Sequence, residues 1–95
     1  GFGIMKYTIE MSTKFKKDYK LAKKRGYDIT LLREVIDLLA DGETLPEKYC
    51  DHSLSGDYSG CRECHILPDW LLVYRIEKEL LILALTRTGT HSDLF

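Results

Sequence analysis

The run CRECHILPDWLLVY, Cys61 to Tyr74, decides how the chain folds. Its first five residues, Cys-x-x-Cys-His, have the spacing that attaches a c-type haem and contain half of a common zinc motif. The residues that follow argue for a different reading. Cys61 to Leu67 can form a strand, Pro68-Asp69 a tight turn, and Trp70 to Ile76 a nearly all-apolar partner strand. Alternate side chains of a strand point to opposite faces. Cys61, Glu63 and His65 then share one face, and Arg62, Cys64 and Ile66 the other. Two thiols directed apart cannot both hold one haem, and the pair alone is too few ligands for zinc. Cys50 and His52 could complete a zinc set, so a metal module remains an alternative, subordinate to the strand.

The rest of the chain fits around this hairpin. Ninety-five residues allow one core. Residues 1–4 read as an appended remnant before a natural start at Met5, and 5–95 as a single domain. Met5 to Met11 alternates like a first strand, and Ser12 can cap a helix running to Gly26 with Phe15, Tyr19 and Ala22 on one face. Asp28 can cap a second helix in which Leu32, Val35, Ile36 and Leu39 recur at helical spacing, with Gly42 at its stop. After a polar loop come the hairpin, a connection at Glu77 to Glu79, and a last strand from Leu80 to Thr88. The expected fold is α+β: a small antiparallel sheet with two N-terminal helices packed on one face.

Composition sets limits on function. No apolar run approaches the roughly 20 residues that a membrane helix requires. An odd number of cysteines without a visible export signal points to a reducing, cytoplasmic setting. Net charge is −1, but it is unevenly spread. The first 30 residues carry eight basic and three acidic side chains, the remainder six and twelve. Lys14, Lys16, Lys17, Lys20, Lys23 and Lys24 all fall on the first helix, a surface suited to a phosphate backbone and equally compatible with a simple solvated face.

Polar groups gather at the strand and loop ends. Glu63 and His65 lie side by side on one sheet face; His52, Asp69, Arg87 and His91 fall in the flanking segments. A single histidine in such a place is ordinarily structural. Three of them with two carboxylates and an arginine form a constellation suited to proton transfer.

These residues carry a resemblance. The segments DHSLSG, RECHILPDWLLVY and LTRTGTHSDLF, at their separations, resemble the RelE/ParE superfamily of bacterial toxins, and within it the YafQ branch of mRNA interferases. The resemblance spans Met5 to Phe95. It implies a type II toxin neutralised by a cognate antitoxin, and an endoribonuclease that cuts mRNA in the ribosomal decoding site. Position by position it implies that His52, His65, Asp69 and His91 are active-site residues and that Phe95 is the terminal aromatic. Glu63 stands where that branch has an aspartate, which keeps the charge on a longer arm.

The implied cut needs no cofactor, metal or haem. The RNA 2′-hydroxyl attacks the adjacent phosphate while a base removes its proton and an acid protonates the departing 5′-oxygen. Imidazole suits both tasks, with a reference pKa of about 6.5. The expected roles are His52 as base, His91 as acid and His65 on the phosphate. Arg87 would stabilise its charge and Asp69 would orient a histidine. Phe95 would stack on a base or, alternatively, seal the core together with Leu94; the six lysines would hold ribosomal RNA. Competing readings are a ribonuclease acting on free RNA and a ParE-like gyrase inhibitor without nuclease chemistry.

Overall fold

The computed structural model describes residues 5–95; the proposed remnant at 1–4 lies outside the described residues. The element order is β1 (Thr8–Met11), α1 (Thr13–Lys24), α2 (Ile29–Ala40), β2 (His52–Ser53), β3 (Arg62–Leu67), β4 (Trp70–Glu77), β5 (Ile82–Gly89) and α3 (His91–Leu94). The strands form one sheet in the order β1-β5-β4-β3-β2. The sheet is mixed rather than wholly antiparallel, because β1 runs parallel to β5 while the other neighbours are antiparallel. The connection from β1 through two helices and the hairpin places the last strand beside the first.

Both helices begin where their caps predict. The Ser12 hydroxyl accepts from the Phe15 amide and the Asp28 carboxylate from the Thr30 amide, each satisfying a donor that the first turn leaves free. Gly42, at φ +78°, takes the left-handed conformation just beyond α2. The apolar stripes of the helices, Phe15 and Ala22 with Leu32, Val35, Ile36 and Leu39, pack on Cys64, Ile66, Leu72, Tyr74, Leu83 and Leu85 of the sheet. Trp70 is buried here too; its indole N–H donates to the Thr88 hydroxyl, which donates to the Leu71 carbonyl.

Besides shifts of one or two residues at other ends and the short strand β2 inside the expected loop, two strand starts differ from expectation. The first strand is shorter, since Tyr7 is buried with its amide donating to the Ala40 carbonyl, outside the sheet. Leu80 and Leu81 belong to the β4–β5 turn rather than to the last strand, exposed, with Leu81 at φ +54°. Apolar composition made them look like strand, but the backbone reverses there.

The opposite face of the sheet carries a smaller cluster of Cys61, Leu71, Val73 and Leu94, flanked by Leu54 and Tyr58. Thus Cys61 and Cys64 lie on opposite faces, as the strand parity required. Cys61 is nonetheless only 8% exposed, more enclosed than a thiol on an open functional face should be, because it belongs to this small cluster and is bonded through its backbone to Leu54 and Tyr58.

Candidate active site

Register places the chemistry. Along one row across the sheet, His52 of β2 pairs with Glu63, Glu63 with Val73, and Val73 with Arg87. In the next row His65 pairs with Leu71 and Leu71 with Gly89, after which the chain turns into α3 at His91. A bulge assists: Val73 opposes Arg87 while Tyr74 opposes Leu85, leaving Thr86 as the extra residue. Without it Arg87, two residues after core-facing Leu85, would share that face with the helices.

The three histidines form a line. The ring centroids of His52 and His65 are 6.3 Å apart, those of His65 and His91 6.2 Å, and Phe95 follows 5.8 Å beyond His91. Phe95 meets Tyr58 edge to face at 5.5 Å and is 61% exposed, whereas Leu94 is buried. The two terminal residues therefore divide the roles expected of them: Leu94 seals the small cluster, and Phe95 presents its ring to solvent beside the histidines.

Glu63 lies buried against the first two rings of the line. Its Oε2 is 3.1 Å from His52 Nε2 and 4.0 Å from His65 Nε2, and its side chain is 5% exposed. Its other oxygen, Oε1, is buried without a hydrogen-bond partner among the described residues. Keeping an unpaired carboxylate oxygen from water costs about 1–3 kcal/mol or more, so an apolar residue would serve packing better. The ring nitrogens can be assigned from their partners. The Cys50 carbonyl is 2.7 Å from His52 Nδ1 and the Pro68 carbonyl 3.3 Å from His65 Nδ1, so each Nδ1 carries the proton and donates. Both nitrogens of His52 are thereby engaged. His65 Nε2 is beyond hydrogen-bond reach of Glu63.

Neighbouring networks hold these groups. Asp51, beside His52, accepts from the Tyr74 hydroxyl at 2.7 Å and from Arg62 Nε at 3.2 Å, pinning the loop to the sheet. Burial, together with that bond to Asp51, pushes the Tyr74 hydroxyl well above the ordinary phenol range. Arg87 donates Nε and Nη2 to Asp18 of α1 at 2.7 and 3.1 Å, and the Thr88 amide donates to the same carboxylate. β1 ends at Met11 opposite Leu85, so Asp18 satisfies a β5 edge that no strand covers. These bonds hold the Arg87 guanidinium even more firmly protonated than usual.

Asp69 is placed apart. It sits exposed in the β3–β4 turn, lining a cleft with Gly26, Tyr27, Asp28, Leu67 and Trp70, and makes no hydrogen bond to a histidine among the described residues. The carboxylate in contact with imidazoles is Glu63. All six lysines of α1 are exposed and none makes an ion pair among the described residues. Lys16, Lys20 and Lys23 line a shallow groove with Met11 and Tyr19, while Asp18 and Arg25, on the other flank of the helix, reach towards β5 and α3.

The sequence reading did not single out Arg25, Asp93, Asp18, Asp51 or Tyr58. One signal was available, since Thr90-x-x-Asp93 has capping-box spacing. The others depend on contacts between residues distant in sequence.

A mixed five-stranded sheet bearing a line of imidazoles against a buried carboxylate is a candidate acid–base site on a small toxin-sized domain, and similarity to known proteins places the chain further. Residues 7–95 match the family described as bacterial toxin of type II toxin-antitoxin system, YafQ. The chain is 43% identical over 88 residues to the mRNA interferase toxin YafQ of Escherichia coli strain K12, covering 92% of this chain and 94% of that protein. Its fold matches YafQ in the Escherichia coli DinJ-YafQ toxin-antitoxin complex with a TM-score of 0.87 at 40% identity, over 96% of this chain and 99% of that one. A metal-bound toxin from Helicobacter pylori matches with a TM-score of 0.88 at 49% identity, over 94% and 99%. The chain belongs to the YafQ family of type II toxin–antitoxin toxins, a family of endoribonucleases.

Proposed function

We propose that this chain cuts mRNA in the ribosomal decoding site by metal-independent attack of the RNA 2′-hydroxyl on the adjacent phosphate, and that a cognate antitoxin neutralises it. The observation that carries the reading is the line His52–His65–His91, with Glu63 against its first two rings and exposed Phe95 beyond the last.

His65 is the base. Its Nδ1–H is committed to the Pro68 carbonyl, which leaves the Nε2 lone pair for the 2′-hydroxyl proton. The Glu63 carboxylate lies 4.0 Å from the nitrogen that takes up the proton. His52 would have to release Glu63 to perform the same task. Held between Glu63 and the Cys50 carbonyl, it serves better as a cation that attracts the phosphate. His91 is the acid: it gives a proton to the departing 5′-oxygen as the P–O bond breaks. The products are a 2′,3′-cyclic phosphate and a free 5′-hydroxyl. Arg87 adds fixed positive charge beside the phosphate, and Phe95 stacks on an unpaired base. Asp69 acts from the turn, through substrate rather than through a histidine, and the α1 lysines grip ribosomal RNA.

The test is mRNA cleavage with and without ribosomes, in a buffer that keeps the Mg²⁺ that ribosomes need but carries a chelator selective for transition metals, with end analysis of the products. Cleavage that persists in chelator, requires ribosomes and leaves cyclic phosphate ends is the expected result. Because a relative is a metal-bound toxin, the chelator arm is decisive: loss of activity restored by added metal overturns the metal-free chemistry. Equal cutting of free RNA removes the ribosome from the reading. No cutting under either condition, with growth arrest intact, would favour a ParE-like inhibitor.

A further inference from the structure

His91 stands at the start of a helix of only four residues. A single turn of helix does not persist in water by its own hydrogen bonds, so the position of the ring depends on whatever holds α3 to the body. Leu94 provides one anchor in the small cluster. The second is polar. The Thr90 hydroxyl accepts from the Asp93 amide and the Thr90 amide donates to Asp93 Oδ2 at 2.9 Å, a complete capping box. Asp93 then also receives Nη1 and Nη2 of Arg25 at 2.7 and 3.2 Å, across 68 residues of sequence. Arg25 is itself fixed, since it caps the C-terminus of α1 with its amide on the Leu21 carbonyl. Gly89 permits the arrangement: a Cβ there would lie 2.9 Å from Asp93 Oδ2 and 3.0 Å from Asp93 Cβ.

From this we infer that Arg25 is a positioning residue for His91, clamping α3 through Asp93 so that the imidazole stays in line with His65. The inference rests on the acid role given to His91 above. It separates one basic residue of the N-terminal third from its neighbours: Arg25 serves the geometry of the reaction, not the grip on RNA. Both side chains of the bridge are partly solvated, at 37% and 24% exposure, and such pairs contribute little to global stability. The effect of the clamp therefore falls on the turnover of bound substrate, because misplacing a reacting group by about 1 Å can cost on the order of a hundredfold.

The experiment compares Arg25→Gln with Arg33→Gln, which removes the same charge from an exposed site on α2, in steady-state cleavage over a range of mRNA-loaded ribosome concentrations up to saturation. Arg25→Gln is expected to lower kcat by about tenfold to a hundredfold with KM little changed, while Arg33→Gln does neither. Arg25→Lys, which keeps the charge but loses the fork, should recover only part of the rate. In a His91→Ala background, Arg25→Gln should cost nothing further. Amide exchange should show Leu94 and Phe95 losing protection in Arg25→Gln while β3 to β5 keep theirs. An unchanged kcat, a rise in KM alone, or an equal loss with and without His91 overturns the inference. If His91→Ala itself cuts at the wild-type rate, the acid assignment fails, and the exchange data alone decide whether Arg25 holds α3.

Discussion

Strands β3 and β4 present two faces built from alternating residues of the same short sequence, and the faces follow different rules. Cys64, Ile66, Leu72 and Tyr74 lie under the helices in one continuous core. Glu63, His65, Leu71 and Val73 lie on the other side, where a four-member cluster supports a buried carboxylate and a line of imidazoles. On the first face, volume and apolarity are all that count. On the second, packing costs are accepted: Glu63 leaves an oxygen unpaired where a leucine would pack. Residues adjacent in sequence should therefore differ sharply in what their loss does.

The largest expected contrast is between His91 and Leu72. His91→Ala should lower cleavage by about 10²–10⁴-fold, the usual contribution of general acid catalysis, with no fall in thermal stability, since the ring is exposed and the cap and Leu94 remain. Leu72→Ala removes a fully buried side chain and should cost about 2–5 kcal/mol in denaturant unfolding. Near-wild-type cleavage by His91→Ala would dissolve the contrast from the chemical side. A Leu72→Ala protein of unchanged stability would dissolve it from the packing side.

Leu71 sharpens the comparison because it is as buried as Leu72 but faces the histidines. Leu71→Ala should cost stability near the low end of that range, the smaller cluster being freer to collapse. It should lower cleavage as well, because Leu94 loses its seat and α3 loosens. Equal losses of cleavage per unit of stability at Leu71 and Leu72 would mean that the two faces are not functionally distinct. The pH dependence of cleavage bears on the same point. Arg25, then the Thr90 amide, hold the Asp93 carboxyl well below its ordinary range. A depressed carboxyl adds stability that is complete above its unfolded pKa of about 3.9 and is lost only as pH falls below that. Docking of α3 should thus be constant from about pH 8 to 5, and a pH–rate profile in that window should report the histidines. A loss of Leu94 amide protection between pH 7 and 5 would contradict this.

How much of this was legible beforehand follows from what each feature depends on. Both helix starts could be read, because Ser12 and Asp28 act on amides two or three residues away. The opposed cysteines could be read because strand parity is local. The parallel pairing of β1 with β5 could not, since it is set by how the helices return the chain. Nor could the bulge at Thr86, which re-aims Arg87 without any mark in the alternation of Leu83 and Leu85. At the site, the candidate histidines could be picked out by type and spacing, and strand parity already set Glu63 beside His65; that Glu63 also reaches His52 depends on the pairing of β2 with β3. Arg25 was counted with a basic run; only the fold shows that it faces Asp93.

The smallest expected effects concern the three thiols, which probe both faces with one atom type. Cys50 is exposed, Cys61 is 8% exposed in the small cluster that Leu94 of α3 helps to form, and Cys64 is fully buried under the helices. Burial pushes the Cys64 thiol up to about 12, with the charges of Asp51 and Glu63 adding to the effect. Since the thiolate is the reactive form, Cys64 should be inert in the native protein. A thiol reagent should modify Cys50 first, Cys61 at the rate at which α3 lifts, and Cys64 only on global unfolding. The order of the last two separates the faces: one is closed by a four-residue helix, the other by the whole core. Loosening α3 with Leu71→Ala should speed modification of Cys61 and, at equal denaturant distance from unfolding, leave Cys64 unchanged. Equal acceleration of both would show that the site face opens only with the core, and that α3 is no separate unit.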